Sequence, residues 1–526
     1  MKKMDYKFGA NILENLTTGM YQDSKIIYRE YIQNSCDAID EAVKQGILSN
    51  ASDGEIELWL DFDTRTIVIS DNGTGIPAAE FQDTLGDIAD SDKEIGKNKG
   101  FRGIGRLCGL AYCKEVVFSS SVKGENTISE MRCDAKEMRR LLSESAKGNK
   151  LTAGEVLRTV NEYSTRKTTN QNSHFFRVEL IEINSENHDL LDEEEIRDYL
   201  SFVAPIPYQN TFIFRSSIYE HANELNVNLD EYVIKLEGKQ IFKKFSTYLK
   251  KSDGKSHDEI FDIAFKDFYD DKDKLFAWMW VGLSSFKGAI PKSNQMRGLR
   301  LRKENIQVGG EDALQKLFKE DRGNSYFVGE VFAISEDLIP NSQRDYFNEN
   351  PARANFERTL RRFFEDELHK LYYNGSALNS AHKKKTTYET RRAEFEERQE
   401  KNLILDSVHQ EAEFQKVEDA KKEAEAAQKR IEKVKEKASE NPESLINRVV
   451  ERIESENASK SLSLITSTDL LKHSKLSPTR RVDNGKLSQY SKKERKLISR
   501  IFEIILSSTD DKTAEMIISK IEDGLS

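Results

Sequence analysis

The chain has 526 residues, 33% of them charged and 37% hydrophobic, with a formal net charge of -10 at pH 7. That length exceeds one compact core and implies two or three domains, and that charge excludes a chain built mainly as a basic sleeve for nucleic acid, leaving room only for a local basic groove. The four cysteines (Cys36, Cys108, Cys113, Cys133) form no C-x-x-C pair and no cluster at metal-ligand spacing, so they read as buried free thiols in a reducing, cytoplasmic compartment.

The opening, MKKMDYKFGANILENL, carries two lysines but no apolar h-region and reads as mature protein. No apolar run approaches the roughly 18–20 residues of a membrane span. The first strong element is a helix over SKIIYREYIQNSCDAIDEAVKQG, with Asp23 as N-cap and Gly46 as C-cap. Ile26, Ile27, Tyr31, Ile32, Ala38, Ile39 and Ala42 supply its buried stripe. Glu30, Asn34 and Asp37 stand at i, i+4 and i+7 and share a face. A carboxylate, an amide and a second carboxylate turned into one cavity suit a hydrolytic site using Mg2+. A hard cation takes oxygen ligands and keeps several waters, and a carboxylate can deprotonate an attacking water. The same spacing also fits an ordinary solvated helix face.

EIELWLDFD and TIVIS read as two strands, with the turn near Asp63 to Arg65. The second strand runs directly into DNGTGIP, from Asp71 to Pro77. Two glycines spaced by one residue allow close backbone approach to a flat ligand. A buried carboxylate at Asp71 can accept a hydrogen bond from an exocyclic amine and so tell adenine from guanine; the alternative is a plain Asn-Gly turn. A polar stretch then leads into GFRGIGRLCGLAYC, where Gly100, Gly103 and Gly105 precede a helix-like apolar run from Leu107 to Tyr112. Glycines at a helix N-terminus leave backbone N–H groups free for phosphate oxygens, and Lys99, Arg102 and Arg106 add positive charge. No G-K-[ST] ends this run, so it is not a P-loop; no strand leads straight into it, so it is not a dinucleotide fingerprint.

From about Asn187 to Asn374 strands alternate with helical stretches. In RGLRLRKENIQV the alternation sets Arg297, Arg300 and Arg302 on one side of a strand, as a solvated face or a groove for a partner or nucleic acid. From Gly375 onward the chain is dense in Ala, Glu, Lys and Arg, the composition of long solvated helices or a coiled coil. Phe395, Leu403, Leu405, Val408 and Phe414 only partly keep heptad spacing, so a helical hairpin and a dimerising coiled coil both fit. A basic, Ser-rich linker over 473–496 precedes two amphipathic helical patterns. The expected divisions are 1–186, 187–374, 375–440 and 441–526.

E-x-x-x-N-x-x-D-A on a helix, then D-x-G-x-G after a strand, then a long polar loop ending in G-x-x-G-x-G, resembles the GHKL superfamily. Its members include the ninety-kilodalton heat-shock chaperones, the DNA gyrase B subunit, MutL, MORC proteins and histidine kinases. The resemblance implies an α+β chain: a Bergerat-fold α/β sandwich, an α/β transducer domain, and a C-terminal all-α region outside the resemblance. It implies ATP and Mg2+ as ligands. Glu30 matches the general base, Asn34 the Mg2+ ligand, and Asp37 a supporting group; Asp71 would bind the adenine amine with Gly75 beneath the base. Gly100, Gly103 and Gly105 would cradle phosphates, with Gly73, Ile76, Lys99, Phe101, Arg102 and Ile104 also at the nucleotide and residues 76–99 as the lid. Histidine kinases lack the helix glutamate, so Glu30 implies hydrolysis, not phosphotransfer. EDLIPNSQRDYF resembles the chaperone segment whose arginine reaches the γ-phosphate, which assigns that role to Arg344. The catalytic lysine of gyrase and MutL has no clear counterpart; Lys292 is nearest. One departure stands out: the threonine usual at the start of a later strand is replaced in SHFFRVELIEI by Phe175 or Phe176, with Ser173 a weak substitute. The layout implies ATP-driven head closure of a homodimer, with two functional outcomes. One is a MORC-like, DNA-associated ATPase of the kind used in prokaryotic defence; the other is a heat-shock-type chaperone remodelling protein clients. An ATP sensor without turnover is a third.

Overall fold

The computed structural model describes residues 8–17, 19, 23–87, 99, 105–148, 150–401, 407–471 and 490–525. These divide into two compact units, one formed by 1–283 with 289–366, the other by 284–288 with 367–526.

The first unit opens with α1 (Asn11–Leu16) and α2 (Ile26–Lys44), followed by β1 (Glu55–Asp61), β2 (Thr66–Asp71) and α3 (Phe81–Gly86). Then come β3 (Cys113–Ser121), β4 (Thr127–Asp134), α4 (Ala135–Ala146), α5 (Ala153–Val160), β5 (Asn161–Lys167) and β6 (Phe175–Ile183). After α6 (Glu193–Val203) and α7 (Arg215–Glu224) the chain returns as β7 (Val233–Leu236) and β8 (Lys239–Gln240). The sheet they form has the order β5-β4-β3-β6-β2-β1-β7-β8. It is antiparallel except where β7 runs parallel to β1, so two strands come from beyond residue 186.

Local chemistry explains the two elements that matter most. At the start of α2 the Asp23 carboxylate accepts the Lys25 N–H at 3.0 Å. At its end the Ile47 N–H reaches back to the Ala42 carbonyl at 2.8 Å, closing the helix at Gly46. Ile27, Tyr31, Ile32, Cys36, Ile39 and Ala42 are buried, and only Ala38 of the expected stripe is half-exposed. On β2, Ile67 and Ile69 are buried and Asp71 follows them at the same period of two. Asp71 is therefore carried to the core face by the same alternation that buries the isoleucines. All four cysteines are free and buried.

The second sheet is built from β9 (Tyr248–Lys250), β10 (Ser256–Tyr269), β11 (Leu275–Ser284), β12 (Gly298–Lys303), β13 (Ile306–Val308) and β14 (Val328–Ala333), in the order β13-β12-β14-β11-β10-β9. Its core holds Trp278, Trp280, Phe212, Phe245 and Phe332. Here one sequence expectation is corrected. Arg300 and Arg302 do not form a solvated face or a groove: they are 5% and 0% exposed, and Arg297 is half-buried against Glu311. Arg302 is bound to the Glu330 carboxylate, to the Asn305 carbonyl (2.9 Å) and to the Phe202 carbonyl (2.6 Å). Lys243, also fully buried, lies 3.3 Å from Glu330 and 4.4 Å from the Tyr208 ring centroid. Buried charges persist only when paired and hydrogen-bonded, and Glu330 supplies that pairing from a strand that sequence alternation alone does not connect to β12.

α8 (Pro351–Phe363) completes the first unit. The second unit contains α9 (His369–Glu400), α10 (Ser407–Ser439), α11 (Leu445–Leu471), α12 (Lys492–Ser508) and α13 (Asp511–Leu525). α9 and α10 form an antiparallel hairpin: Tyr373 meets Arg430, Lys385 meets Gln428, and Phe395 meets Phe414. Val417, Ala420, Ala424, Ala427, Ile431, Val434 and Ala438 make the buried stripe of α10 at alternating steps of three and four. Ser285 donates to Glu456 of α11 at 2.8 Å, tying the 284–288 segment into this unit. Most of the predicted basic linker lies outside the described residues. Among the described residues no helix is long and apolar enough to cross a membrane.

Candidate functional site

The polar face of α2 is walled in. Arg29, Glu30 and Asp37 are 7%, 9% and 5% exposed, and Asn34 between them is half-buried. A solvated helix face does not have this burial. Among the described residues Glu30 Oε1 has no hydrogen-bond partner, although Arg29 Nη2 lies 3.5 Å away and Arg344 Nε 3.6 Å away. A buried carboxylate oxygen flanked by two guanidinium groups, yet unbonded, is placed to accept a proton or to orient a small polar molecule. Gly105 faces the other oxygen: a β-carbon there would stand 2.7 Å from Glu30 Oε2. A larger residue there would make the Glu30 carboxylate shift.

Below this face lies the loop after β2. Asp71 is 3% exposed, and its Oδ1 accepts the Gly73 N–H at 2.9 Å. The Thr74 N–H donates to the Ala38 carbonyl of α2 at 3.2 Å, so the loop is pinned to the helix that carries Glu30. Gly75 has φ +70°, and a β-carbon would stand 2.1 Å from the Ser121 carbonyl oxygen. No other residue type fits there. The Ile76 N–H donates to Ser120 Oγ at 2.7 Å, and Ser120 Oγ donates to the Phe175 carbonyl at 3.0 Å.

The missing threonine now has a structural counterpart. Phe176 pairs with Asp71 across β6 and β2, and Ser120 pairs with Phe176 across β3 and β6. Directly paired residues share a face, so Ser120 is the hydroxyl carried beside the Asp71 row. Ser173 precedes β6 in a turn and is not on the strand. Sequence reasoning missed Ser120 because the link runs through strand register. It also missed His174, whose Nδ1 lies 2.8 Å from the Gly73 carbonyl oxygen.

Lys99 is bound on three sides. Its N–H donates to Asp37 Oδ1 at 2.7 Å, and its ammonium lies 2.6 Å from Asp40 and 3.1 Å from Asp230. Burial opposes its charge, but Asp230 and Asp40 outweigh that and hold its pKa above the ordinary lysine value. The ammonium is thus committed to two carboxylates, where a phosphate ligand was expected. Gly100, Phe101, Arg102, Gly103 and Ile104 lie outside the described residues.

Arg344 comes from the loop after the second sheet and stands beside Glu30 on the helix face. Its backbone is left-handed (φ +53°), an uncommon state for a non-glycine residue, and its carbonyl accepts the Gly309 N–H at 2.8 Å. Burial lowers its pKa, with Glu30 opposing that shift. Arg29 Nη2 donates to the neighbouring Gln343 carbonyl at 3.1 Å, a second tie between α2 and this loop. Lys292, the alternative cation, is exposed.

Among the described residues no group of three His, Cys, Asp or Glu side chains is placed to hold a metal ion. A Mg2+ ion takes few protein oxygens and keeps waters and substrate phosphates; of the predicted residues, the half-buried Asn34, through its amide oxygen, is the one that would hold it.

Comparison with known proteins agrees with this geometry. The family described as histidine kinase-, DNA gyrase B-, and HSP90-like ATPase matches residues 23–190. The chain is similar to the chaperone protein HtpG of Buchnera aphidicola subsp. Acyrthosiphon pisum, 30% identical over 165 residues, or 25% of this chain and 26% of the relative. It is also similar to HtpG of Fusobacterium nucleatum subsp. nucleatum, 36% identical over 107 residues (19% and 18%), and of Coxiella burnetii strain RSA 331, 38% over 85 residues (15% and 13%). The chain thus spans about a quarter or less of the length of the curated relatives it matches. The mixed sheet, the buried Glu30 face, the Asp71 loop and these matches together identify residues 23–190 as a GHKL-type, HSP90-like ATPase domain.

Proposed function

We propose that this chain hydrolyses ATP at the Glu30–Asp71 site and uses the cycle to remodel protein clients. The observation that carries the reading is the approach of Arg344 to Glu30, 3.6 Å apart, in a pocket of α2. A site that only binds nucleotide has no need of an arginine from a distant loop beside a buried carboxylate.

In this reading Asp71 accepts the adenine amine, and Gly73, Gly75 and Ile76 pass beneath the base. Ser120 holds that loop through the Ile76 amide. Asn34 is the Mg2+ ligand, and Asp37 steadies the site through the Lys99 amide. Bound Mg2+ neutralises phosphate charge. Glu30 orients the attacking water and takes its proton. Arg344 then leaves Glu30 for the γ-phosphate, where its fork stabilises charge developing in the transition state. The second sheet serves as transducer, and head closure brings two copies together.

The chaperone reading is preferred over the DNA-associated one. The three relatives described above are each named as a chaperone, and the arginines of β12 that suggested a groove are consumed inside the sheet. The test is steady-state ATPase activity measured beside added denatured protein and beside long duplex DNA at two salt concentrations. The reading expects stimulation by denatured protein. Stimulation by DNA alone, falling steeply with salt, would move the function to nucleic acid.

A further inference from the structure

Lys99 stands at a junction of three parts of the fold. Asp40 of α2 and Asp230, three residues before β7, grip its ammonium. The Tyr232 ring lies 5.3 Å beneath it, and the Tyr232 hydroxyl donates to the second oxygen of Asp40 at 2.7 Å. Its own N–H is spent on Asp37, and its carbonyl accepts from Arg344 Nη2. Asp230 is fixed in turn: its carbonyl accepts from Asn305 Nδ2 at 2.7 Å, and Asn305 Oδ1 accepts from the buried Lys243 at 2.8 Å. Every polar group of Lys99 is thus occupied by protein, and the side chain is 6% exposed.

Such an arrangement fixes a backbone atom, not a ligand. To reach a phosphate the ammonium would have to leave two carboxylates close to each other and uncompensated, which is costly in a buried setting. What the grip does hold still is the Lys99 carbonyl. That carbonyl is the hydrogen-bond acceptor that orients the Arg344 guanidinium whose Nε faces Glu30.

We propose that Lys99 is a positioning residue: clamped between Asp40 and Asp230, it presents its carbonyl to Arg344 and sets where that guanidinium points. The inference rests on the reading of Arg344 as the arginine of the hydrolytic step. It gives the ammonium a role in turnover and none in nucleotide affinity.

The experiment measures, on the full chain, kcat for ATP and Kd for a non-hydrolysable ATP analogue in Lys99→Met, Asp230→Asn, Lys99→Arg and Arg344→Ala. A misplacement of about 1 Å near the chemistry costs on the order of 100-fold in rate, so Lys99→Met is expected to lower kcat about 10- to 100-fold with Kd changed less than about threefold. Lys99→Arg restores most of the rate. Asp230→Asn keeps the Asp40 pair, provides a variant that folds if Lys99→Met does not, and lowers kcat in the same direction. Combined with Arg344→Ala, Lys99→Met adds little further loss, because coupled residues are not additive. A large rise in Kd with Lys99→Met shows a phosphate ligand and overturns the clamp, as do losses that add fully to those of Arg344→Ala. Parental kcat in both Lys99→Met and Asp230→Asn, with Arg344→Ala impaired, removes the clamp alone. Parental kcat in Arg344→Ala removes the Arg344 reading and the clamp with it.

Discussion

Asp71 shows how much one side chain can do. One of its oxygens accepts the Gly73 amide, so an adenine amine bound here shares the carboxylate with that bond. Asp71→Asn must then choose. If the amide oxygen keeps the Gly73 N–H, its NH2 group faces the incoming amine, donor against donor. The expected outcome is a loss of roughly 1–3 kcal/mol in nucleotide affinity, read by titration with an ATP analogue; unchanged affinity would place the base elsewhere. Gly75→Ala meets a different obstacle. A left-handed backbone costs an L-residue about 1–2 kcal/mol, and the added carbon meets the Ser121 carbonyl. Thermal denaturation should show a lowered Tm together with weakened nucleotide binding. These residues were legible in the sequence from local spacing: Glu30, Asn34 and Asp37 on one face over two helical turns, Asp71 at a strand end before two spaced glycines. Ser120, His174, Asp40 and Asp230 were not. Their part in the site depends on strand register and on segments as far apart as α2 and β7, which no local spacing records.

β12 carries the lesson one scale up. Alternation in RGLRLRK correctly identifies a strand with Arg300 and Arg302 on one face, but it cannot say that both faces are buried. Arg302 is inside because Glu330 of β14 and the Asn305 and Phe202 carbonyls satisfy it. Burial by itself would raise the Glu330 pKa; Arg302 and Lys243 overcome that and hold it at about 2. Because folding lowers this pKa, the stabilisation is complete above the unfolded value near 4.5 and is lost as pH falls toward 2. Glu330→Gln leaves two buried cations without their counter-charge, a loss of about 3–5 kcal/mol. Urea denaturation followed by the fluorescence of Trp278 and Trp280, in the same core, should show that loss at neutral pH. It should also show a flatter dependence of stability on pH between 4.5 and 2 than in the parent. Equal stability of the two proteins would mean that the network does not hold the sheet. In α10 the hydrophobic signal was overlooked for another reason: its stripe is mostly alanine, which leaves little mark on a search for large apolar residues yet lets two helices approach closely.

For the whole molecule, composition and patterning marked mixed strands and helices first and charged helices last, while the fold class came from the resemblance of the three motifs. The choice between a helical hairpin and a coiled coil was not, since both bury the same kind of stripe; the described α9 and α10 pair within one chain. The two β-strands that close the first sheet from beyond residue 186 were hidden by their shortness, four and two residues. Head closure of two copies is a prediction at this scale. Light scattering with a non-hydrolysable ATP analogue should show the mass of a dimer, and an unchanged monomer mass would count against it. The central claim, hydrolysis at the α2 face with Glu30 as base, is tested most directly by Glu30→Ala, measuring analogue affinity and ATP turnover on the same preparation. The account predicts affinity near that of the parent and turnover reduced by at least about 100-fold; parental turnover in Glu30→Ala would contradict it.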